Sequence, residues 1–356
     1  MTAHTVHTGT WTTWEQSRET LQRTRVVVLA GGRSSEREVS LDSSRGIVDA
    51  LAKDATLLAS VTLVEIDTDG RWVVGGEALA PQLAVEQLPP DALYFFGLHG
   101  GEGEDGTLQA FLEICGKRYT GSGTRASAIC LDKARARILF EDAGCRVSPA
   151  RYITPRDWRM GSAAVLDEVT NLTSGTWYVK PNCGGSSVTM FAVTSAGELS
   201  AAIESVLATG EDVLVEAGVP GIEVTCGVIG NQEDELTLLP VVEVHPHEGR
   251  FFDYEEKYSE SGAVEICPPE NLSRQMILAL GRHALAAYRA AGCDGYARID
   301  FMVPEMGAPV ILEANTLPGF TSRSLLPLAA AETGVDFRSL CLELCALAIT
   351  RQGEPT

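Results

Sequence analysis

The stretch from Gly295 to Ser324 constrains most strongly what this chain can fold into. It holds two apolar runs, and the short turn Pro304–Ala308 between them predicts a β-hairpin. Side chains alternate between the two faces of a strand, so every second residue shares a face. The first strand is therefore expected to carry on one face Arg298, Asp300 and Met302. The second is expected to carry on one face Ile311, Glu313 and Asn315.

Two carboxylates and an amide converge if these faces meet on one side of the hairpin: Asp300, Glu313 and Asn315. Such oxygen ligands suit Mg²⁺, which proteins usually hold with a few carboxylates plus the phosphates of a substrate. The alternative is an ordinary edge hairpin with a solvated charged face. The run Asn-Thr-Leu-Pro-Gly-Phe-Thr that begins at Asn315 is harder to explain as structure alone, because it places Pro and Gly directly after the predicted ligands.

Length and charge exclude several classes of protein. A chain of 356 residues exceeds one typical core, so about two or three subdomains are expected. The formal net charge of −20 argues against a nucleic-acid or anionic-membrane surface, and an anionic nucleotide can bind only where Lys and Arg gather locally. The nine cysteines include no CxxC pair, which indicates reduced thiols and a cytoplasmic protein. Neither a signal peptide nor an apolar run of ~18 residues is found.

Two strand–turn–helix units are predicted after the start of the chain. The β-branched run 25–30 ends in Gly31-Gly32 and is followed by a helical pattern through Leu51. A second apolar run, 92–96, leads into a Gly-rich turn and then into a helix through Ile114. The pattern is that of βαβ units with a parallel sheet, although the GxGxxG dinucleotide fingerprint is absent.

The loops that follow these strands carry two candidate site residues, Glu36 and His99. Ligands bind at the carboxyl ends of strands in such folds, and the glycines after His99 can expose backbone N–H groups to an anion. A solvated turn residue is the plain alternative for Glu36. The polar residues 1–24 are expected to form an extension outside the core.

One lysine in the middle of the chain is a candidate phosphate ligand. Lys180 stands on a predicted strand that runs into a Gly-Gly-Ser-Ser loop, a recurring way to hold nucleotide phosphates. A hairpin with a polar turn is the alternative. Lys133 opens a basic helix and is by itself most simply a solvated lysine.

Further along, Glu216 and Glu223 flank a turn between two predicted strands, where carboxylates bind sugar hydroxyls or an adenine amino group, or are solvated. The aromatic and charged segment 251–258 is too polar for a core strand and is typical of a lid that excludes water. Long helices are predicted over 271–291 and 336–351.

Taken together, these motifs resemble the D-alanine–D-alanine ligases of the ATP-grasp superfamily, in the family order and over residues 25 to 350 or so. The motifs are Gly31-Gly-Arg-Ser-Ser-Glu-Arg-Glu-Val-Ser, His99-Gly, Gly103-Glu-Asp-Gly-Thr-Leu-Gln, Tyr119-Thr-Gly-Ser-Gly, Asp132-Lys, Val179-Lys-Pro, Asp253-Tyr-Glu-Glu-Lys-Tyr, Arg298-Ile-Asp and Glu313-Ala-Asn-Thr-Leu-Pro-Gly-Phe-Thr-Ser.

The resemblance implies an α/β (α+β) ATP-grasp fold with a Rossmann-like N-terminal domain and two α+β subdomains that clamp ATP. The expected boundaries are 1–24 for the extension, 25–121 for the N-terminal domain, 122–216 for the central subdomain and 217–356 for the C-terminal subdomain with the catalytic centre. It also implies a homodimer with small-molecule substrates.

The activity that the resemblance implies is ATP-dependent ligation of two D-alanines through an acyl phosphate, for peptidoglycan precursors. Its cofactors are ATP and two Mg²⁺ ions, with Mn²⁺ as a possible substitute. The implied metal ligands are Asp300, Glu313 and Asn315. The implied ATP ligands are Lys133 and Lys180 on the α/β-phosphates, Lys257 on the γ-phosphate, Glu216, Ala217 and Val219 at adenine, Glu223 at ribose, and Phe251 and Met302 along the adenine slot.

The amino-acid substrates have implied ligands as well. Glu36 is implied to pair with the ammonium of the first D-alanine, beside His99, and Arg298 to stabilise the oxyanion. The second D-alanine is implied to meet the Gly319 region and Ser324. Ser186 and Tyr258 match a hydrogen-bonded link from Glu36 to the lid, and Tyr258 favours an amine as the second substrate.

The chain departs from the family pattern around the nucleotide. Asn182-Cys-Gly-Gly-Ser-Ser stands where Arg-Glu-Gly-Ser-Ser is common, so Gly184 replaces an acidic residue, and Thr189 replaces a glycine. Ala217 and Gly218 replace a basic and a bulky residue. Two alternatives therefore stay open: a ligase of the same mechanism for other D-amino acids, and a non-catalytic nucleotide-binding relative.

Overall fold

The computed structural model describes residues 13–184, 189–232, 235–247 and 262–351. Its strands form three sheets, each with a hydrophobic core of its own. Within the described ranges, no helix combines the length and the apolar character that crossing a membrane requires.

The N-terminal sheet has the strand order β4-β3-β2-β1-β5-β6, and its centre is parallel. After Arg25 every residue of β1 is buried, as expected for a parallel strand that is covered on both faces. The strands are β1 Arg25–Gly31, β2 Ser60–Ile66, β3 Trp72–Val74, β4 Glu77–Leu79, β5 Leu93–Phe96 and β6 Arg118–Tyr119. The helices are α3 Arg37–Ala52, α4 Pro81–Gln87 and α5 Thr107–Ile114, with a 3-10 turn at Gly101–Gly103.

The described part of the predicted extension, residues 13–24, packs on this domain, with Trp14 against the N-terminal core. It forms two short helices, α1 Thr13–Gln16 and α2 Arg18–Leu21. Leu21 is 1% exposed within the N-terminal core. The backbone N–H of Trp14 donates to Glu343 Oε2 at 3.0 Å.

The central sheet is antiparallel, in the order β10-β9-β11-β8, and carries two helices on its core. Its strands are β8 Ala150–Ile153, β9 Trp177–Pro181, β10 Phe191–Val193 and β11 Val213–Ala217. Its helices are α8 Pro155–Thr170 and α9 Ala196–Leu207. α8 begins with a capping box in which the side chains of Thr154 and Asp157 satisfy each other's backbone N–H groups.

The C-terminal sheet has the order β15-β14-β12-β16-β17-β7 among the described strands, with β13 paired to β12. Its strands are β7 Arg146–Val147, β12 Ile222–Ile229, β13 Thr237–Leu238, β14 Val242–His245, β15 Val264–Ile266, β16 Tyr296–Val303 and β17 Val310–Asn315. The helices on its core are α6 Thr124–Leu131, α7 Lys133–Asp142 and α10 Arg274–Ala291.

Two helices close the chain, α11 Leu325–Ala331 and α12 Phe337–Thr350. Both bury their apolar residues in the core of the N-terminal domain. α6 and α7, in turn, pack with the C-terminal sheet. The three cores therefore cross the predicted boundaries: part of 122–216 lies with the C-terminal sheet, and the end of 217–356 lies with the N-terminal sheet.

The predicted hairpin is formed by β16 and β17, with one irregularity. Arg298 pairs with Asn315 and Asp300 pairs with Glu313, but Phe301 pairs with Ile311, so Leu312 is an extra residue in β17. The bulge moves Ile311 to the opposite face, into the core. The expectation that Ile311 shares a face with Glu313 and Asn315 is therefore wrong.

Candidate active site

A cleft of about 800 Å³ opens among the three units and gathers most of the predicted ligands. Strands β9 and β11 form one wall, β12, β16 and β17 form the other, and the loops after β1 and β5 reach one part of it. The predicted site residues that line it are Glu36, Lys133, Lys180, Glu216, Ala217, Val219, Glu223, Asp300, Met302 and Glu313.

A buried charge cluster holds Glu216 at the end of β11. Its carboxylate pairs with Lys180 Nζ at 2.5 Å and with the guanidinium of Arg137. Burial works against the charged form of Glu216, yet Lys180 and Arg137 hold the pKa of its carboxyl below the usual range. Burial likewise opposes the charge of Lys180, but the carboxylates of Glu216 and Glu313 raise its pKa above the usual value. Both groups are therefore ionised at neutral pH.

Lys133 reaches the same cleft from the first position of α7. Its ammonium donates to the carbonyl oxygen of Gly184 at 2.5 Å and lies 3.4 Å from Glu313 Oε2. Lys133 is buried, in contrast to the solvated lysine that its sequence context alone favours. The structure thus places two lysines from different units along one cavity.

The hairpin brings the three predicted metal ligands together. Asn315 Nδ2 donates to Asp300 Oδ2 at 2.8 Å and to Glu313 Oε1 at 3.3 Å. Asp300 also accepts from Thr225 Oγ1 at 2.6 Å. Arg298 donates to both oxygens of Asp300, from Nε at 2.9 Å and from Nη2 at 2.8 Å.

The chemistry of this donor set fits Mg²⁺. Within the described chain, no group of three or more His, Cys, Asp or Glu side chains could hold a metal by itself. Two carboxylates and one amide are instead the incomplete oxygen shell that Mg²⁺ uses when substrate phosphates supply the remaining ligands. The amide of Asn315 now turns its Nδ2 toward the carboxylates, and a flip of this amide would present its oxygen.

Glu36 lies in the part of the cleft that the N-terminal domain lines, against the loop that follows β5. It is buried and immediately precedes α3. A Cβ on Gly100 would lie 2.7 Å from Glu36 Oε2, and Gly100 has a φ of +67°, so this approach needs a glycine. The N–H of Gly100 donates to Glu104 Oε1 at 2.9 Å. Burial, with the nearby Glu36 carboxylate, raises the pKa of Glu104 to about 7.

His99 is buried behind the cleft lining. One ring nitrogen, Nε2, lies 2.9 Å from Ser43 Oγ, and the ring also hydrogen-bonds to the backbone of Leu317. Burial lowers the pKa of His99 to about 4, and the charge of Arg298 acts in the same direction. His99 is therefore neutral at pH 7, and it joins the N-terminal domain to the loop after β17.

The remaining predicted residues lie elsewhere. Arg298 and Asn315 are next to the cleft lining, at the inner end of the hairpin. Gly319 follows on the loop after β17, and Ser324 precedes α11, where its Oγ accepts from the N–H of Thr321 at 3.0 Å. Four predicted residues fall outside the described part of the chain: Ser186, Phe251, Lys257 and Tyr258.

The structure adds residues that the sequence interpretation did not assign: Arg137, Glu104, Thr225 and Asn182. Arg137 had a usable signal, because it follows Lys133 by one helical turn and therefore shares its helix face. Glu104 belongs to a recognised motif but received no role. Thr225 and Asn182 act through contacts with distant parts of the chain, which the local sequence does not reveal.

Known families account for this arrangement. A family model described as "D-ala D-ala ligase C-terminus" matches residues 139–346, and one described as "D-ala D-ala ligase N-terminus" matches residues 25–92. A D-alanine–D-alanine ligase of Nitratidesulfovibrio vulgaris is 37% identical over 332 residues, which span 92% of this chain and 99% of that protein. The chain belongs to the D-alanine–D-alanine ligase family. A ligase of Halalkalibacterium halodurans is 38% identical over 89% of this chain and 96% of its own length.

Solved structures of the family share the fold. D-alanyl-alanine synthetase A from Vibrio cholerae superposes with a TM-score of 0.79 at 26% identity, covering 92% of this chain and 99% of that one. The VanG D-Ala:D-Ser ligase from Enterococcus faecalis superposes with a TM-score of 0.77 at 30% identity, covering 92% and 100%. The predicted ATP-grasp fold class is confirmed.

Proposed function

We propose that this family member joins two D-alanine molecules to D-alanyl-D-alanine for peptidoglycan precursors, with conversion of ATP to ADP and phosphate. The observation that carries the proposal is the composition of the cleft. The buried Lys133 and the half-buried Lys180 line the same cavity as the carboxylates of Glu36, Asp300 and Glu313. A cavity with these charges can accept a nucleotide phosphate and an amino-acid ammonium at once.

Adenine is assigned to the outer part of the cleft, along β11 and β12. Glu216 would accept from the adenine amino group and Glu223 would hold the ribose. The N–H of Ala217 donates to Pro149 O at 2.8 Å, so we assign its carbonyl rather than its N–H to adenine. The backbone of Val219 would complete this edge, and Met302, which pairs with Glu223 across β16 and β12, would line the adenine slot.

Phosphoryl transfer depends mostly on positioning and charge neutralisation. Lys133 and Lys180 would hold the α/β-phosphates, and Lys257 the γ-phosphate. Two Mg²⁺ ions, or Mn²⁺ in their place, would be held by Asp300, Glu313 and Asn315 and would supply further neutralisation of phosphate charge. Glu36 would orient the first D-alanine through its ammonium.

The reaction would then proceed in two steps. The carboxylate of the first D-alanine attacks the γ-phosphorus and gives an acyl phosphate and ADP. The amine of the second D-alanine, held near Gly319 and Ser324, attacks the acyl carbon, and phosphate leaves. Arg298 would stabilise the oxyanion, because its two hydrogen bonds to Asp300 fix the plane of its guanidinium. His99, Ser186, Phe251 and Tyr258 keep the supporting roles predicted for them.

One observation supports a second candidate function. The structural similarity includes a D-Ala:D-Ser ligase at 30% identity, a level similar to that of the D-Ala–D-Ala ligases among the superposed structures. A ligase of the same mechanism with another D-amino acid in the second position is therefore the alternative.

The test is release of ADP and phosphate from ATP and Mg²⁺ with single D-amino acids and with pairs, with product masses measured. Release that needs D-alanine alone and yields D-alanyl-D-alanine supports the proposal. Release only with a mixed pair supports the alternative, and no release refutes both. Lys180→Ala should lose the activity, whereas the matched control Lys53→Ala, at the exposed end of α3, should keep it.

We also propose that the protein is a cytoplasmic homodimer. Light scattering of the purified chain at several concentrations tests the dimer, and a monomer throughout the range contradicts it.

A further inference from the structure

Asn182 is a buried polar residue to which no role has yet been given. It directly follows β9 and is 1% exposed. Its backbone N–H donates to Asp212 O at 2.8 Å, and its carbonyl accepts from the N–H of Lys133 at 3.2 Å. Its side-chain Oδ1 accepts from the N–H of Ala134 at 2.9 Å, and its Nδ2 donates to Asp132 Oδ1 at 2.8 Å. Each of its hydrogen-bonding groups thus has a partner.

Three of these partners are successive residues at the N-terminus of α7, from Asp132 to Ala134. The first N–H groups of a helix have no acceptor within the helix. Asn182 accepts from two of them, and the side chain of Asp132 accepts from the next, that of Arg135, at 3.2 Å. The N-terminus of α7 is therefore capped by two residues: Asp132, its own N-cap residue, and Asn182, which follows strand β9 of the central sheet.

These hydrogen bonds of Asn182 connect the two elements that carry the lysines of the cleft. Lys180 stands on β9 two residues before Asn182, and Lys133 is the first residue of α7. The ammonium of Lys133 donates to the carbonyl of Gly184, two residues after Asn182. This hydrogen bond ties the segment that follows β9 to the first residue of α7.

We propose that Asn182 is the positioning residue for nucleotide phosphates in this chain: it fastens α7 to β9 and so fixes Lys133 and Lys180 relative to each other. The inference rests on the proposed ATP-dependent function. It predicts that changes at Asn182 act on ATP binding rather than on the amino-acid substrates, whose ligands lie on other loops.

The test compares ATP binding by isothermal titration calorimetry, with Mg²⁺ present, in a small set of variants. Asn182→Asp keeps an acceptor for Ala134 but sets a carboxylate against Asp132. We expect its Kd for ATP to rise about tenfold or more, which is about 1.4 kcal/mol, with KM for D-alanine and kcat close to wild type. Asp132→Asn in that background removes the repulsion, and asparagine is an equally good N-cap. The double variant should regain the ATP affinity of Asp132→Asn alone.

Two further variants test whether the loss of ATP affinity comes from the contacts of Asn182. Asn182→Ala adds no charge, and it should weaken ATP binding in the same direction. Asn171→Ala removes an exposed amide that donates to Asp167 O at 2.8 Å on the same central unit, and it should leave Kd unchanged.

Unchanged ATP affinity in Asn182→Ala or Asn182→Asp overturns the positioning role. So does a proportional loss of kcat and D-alanine affinity, or a double variant that stays as weak as Asn182→Asp. Failure of the proposed function would look different, because wild type itself would then bind ATP without turnover or not bind it.

Discussion

Protonation of His99 should destabilise the folded protein in acid. Burial lowers its pKa from 6.5 to about 4. Because the unfolded chain then binds a proton more readily than the folded one, this contribution to stability is complete above about pH 6.5 and is lost as the pH falls toward 4. The interval between 6.5 and about 4 corresponds to about 3 kcal/mol in full, since each pKa unit is worth about 1.4 kcal/mol. About 2 kcal/mol of this should already be lost at pH 5.

The ring protons of His99 in an NMR titration report this pKa directly. The resonance can be assigned by its absence from His99→Gln, a variant that retains polar groups opposite Ser43. We expect the signal to show no titration between pH 8 and about 5. In urea unfolding at pH 7 and pH 5, wild type should lose about 2 kcal/mol more than the variant. A midpoint near 6.5, or equal losses, would refute the argument from burial.

Other perturbations test separate parts of the site. Arg298→Ala should lower kcat by roughly 10²- to 10³-fold with ATP binding intact by calorimetry, because it removes an oxyanion donor. Glu216→Gln leaves the buried charge of Lys180 less compensated, so it should destabilise the protein by about 3 kcal/mol and raise the KM for ATP. Gly100→Ala should raise the KM for D-alanine, because the new methyl group collides with the Glu36 carboxylate, and it should add strain of about 1–2 kcal/mol in thermal unfolding. EDTA should abolish turnover, and added Mg²⁺ or Mn²⁺ should restore it; turnover in excess EDTA would contradict the metal assignment.

The elements with strong periodicity were predictable. The strands β1 and β5 and the helices after them appear where the apolar runs and glycines predicted them. The family resemblance implied that Glu36 and His99 lie side by side. In the structure their loops follow neighbouring parallel strands, whose carboxyl ends meet at one edge of the sheet.

The hairpin shows where local pattern stops being informative. Alternation predicted that Asp300 and Glu313 converge if the two faces meet, and they are paired across the hairpin. It could not reveal that Leu312 is an extra residue. An apolar run such as Val-Ile-Leu shows the same hydrophobic pattern whether or not the strand contains a bulge. A bulge, however, moves the side chains of all the residues beyond it to the opposite faces of the strand.

The packing of distant segments could not be predicted from the sequence, for a different reason. α12 is the last described helix, yet it completes the hydrophobic core of the N-terminal domain. The order of the elements along the chain does not indicate that a late helix packs on the first sheet. Arg137 and Asn182 received no role from the sequence. Their roles depend on partners that are 79 and 50 positions away, Glu216 and Asp132.

The central claim is that a carboxylate is activated by ATP and then joined to an amine in this cleft. D-alanine labelled with ¹⁸O in its carboxylate tests it most directly, with the dipeptide and the released phosphate analysed by mass spectrometry. The account predicts D-alanyl-D-alanine as the product and one ¹⁸O atom transferred to phosphate for each dipeptide formed. Dipeptide without label in the phosphate would contradict the acyl phosphate, and ATP turnover without any dipeptide would contradict ligation itself.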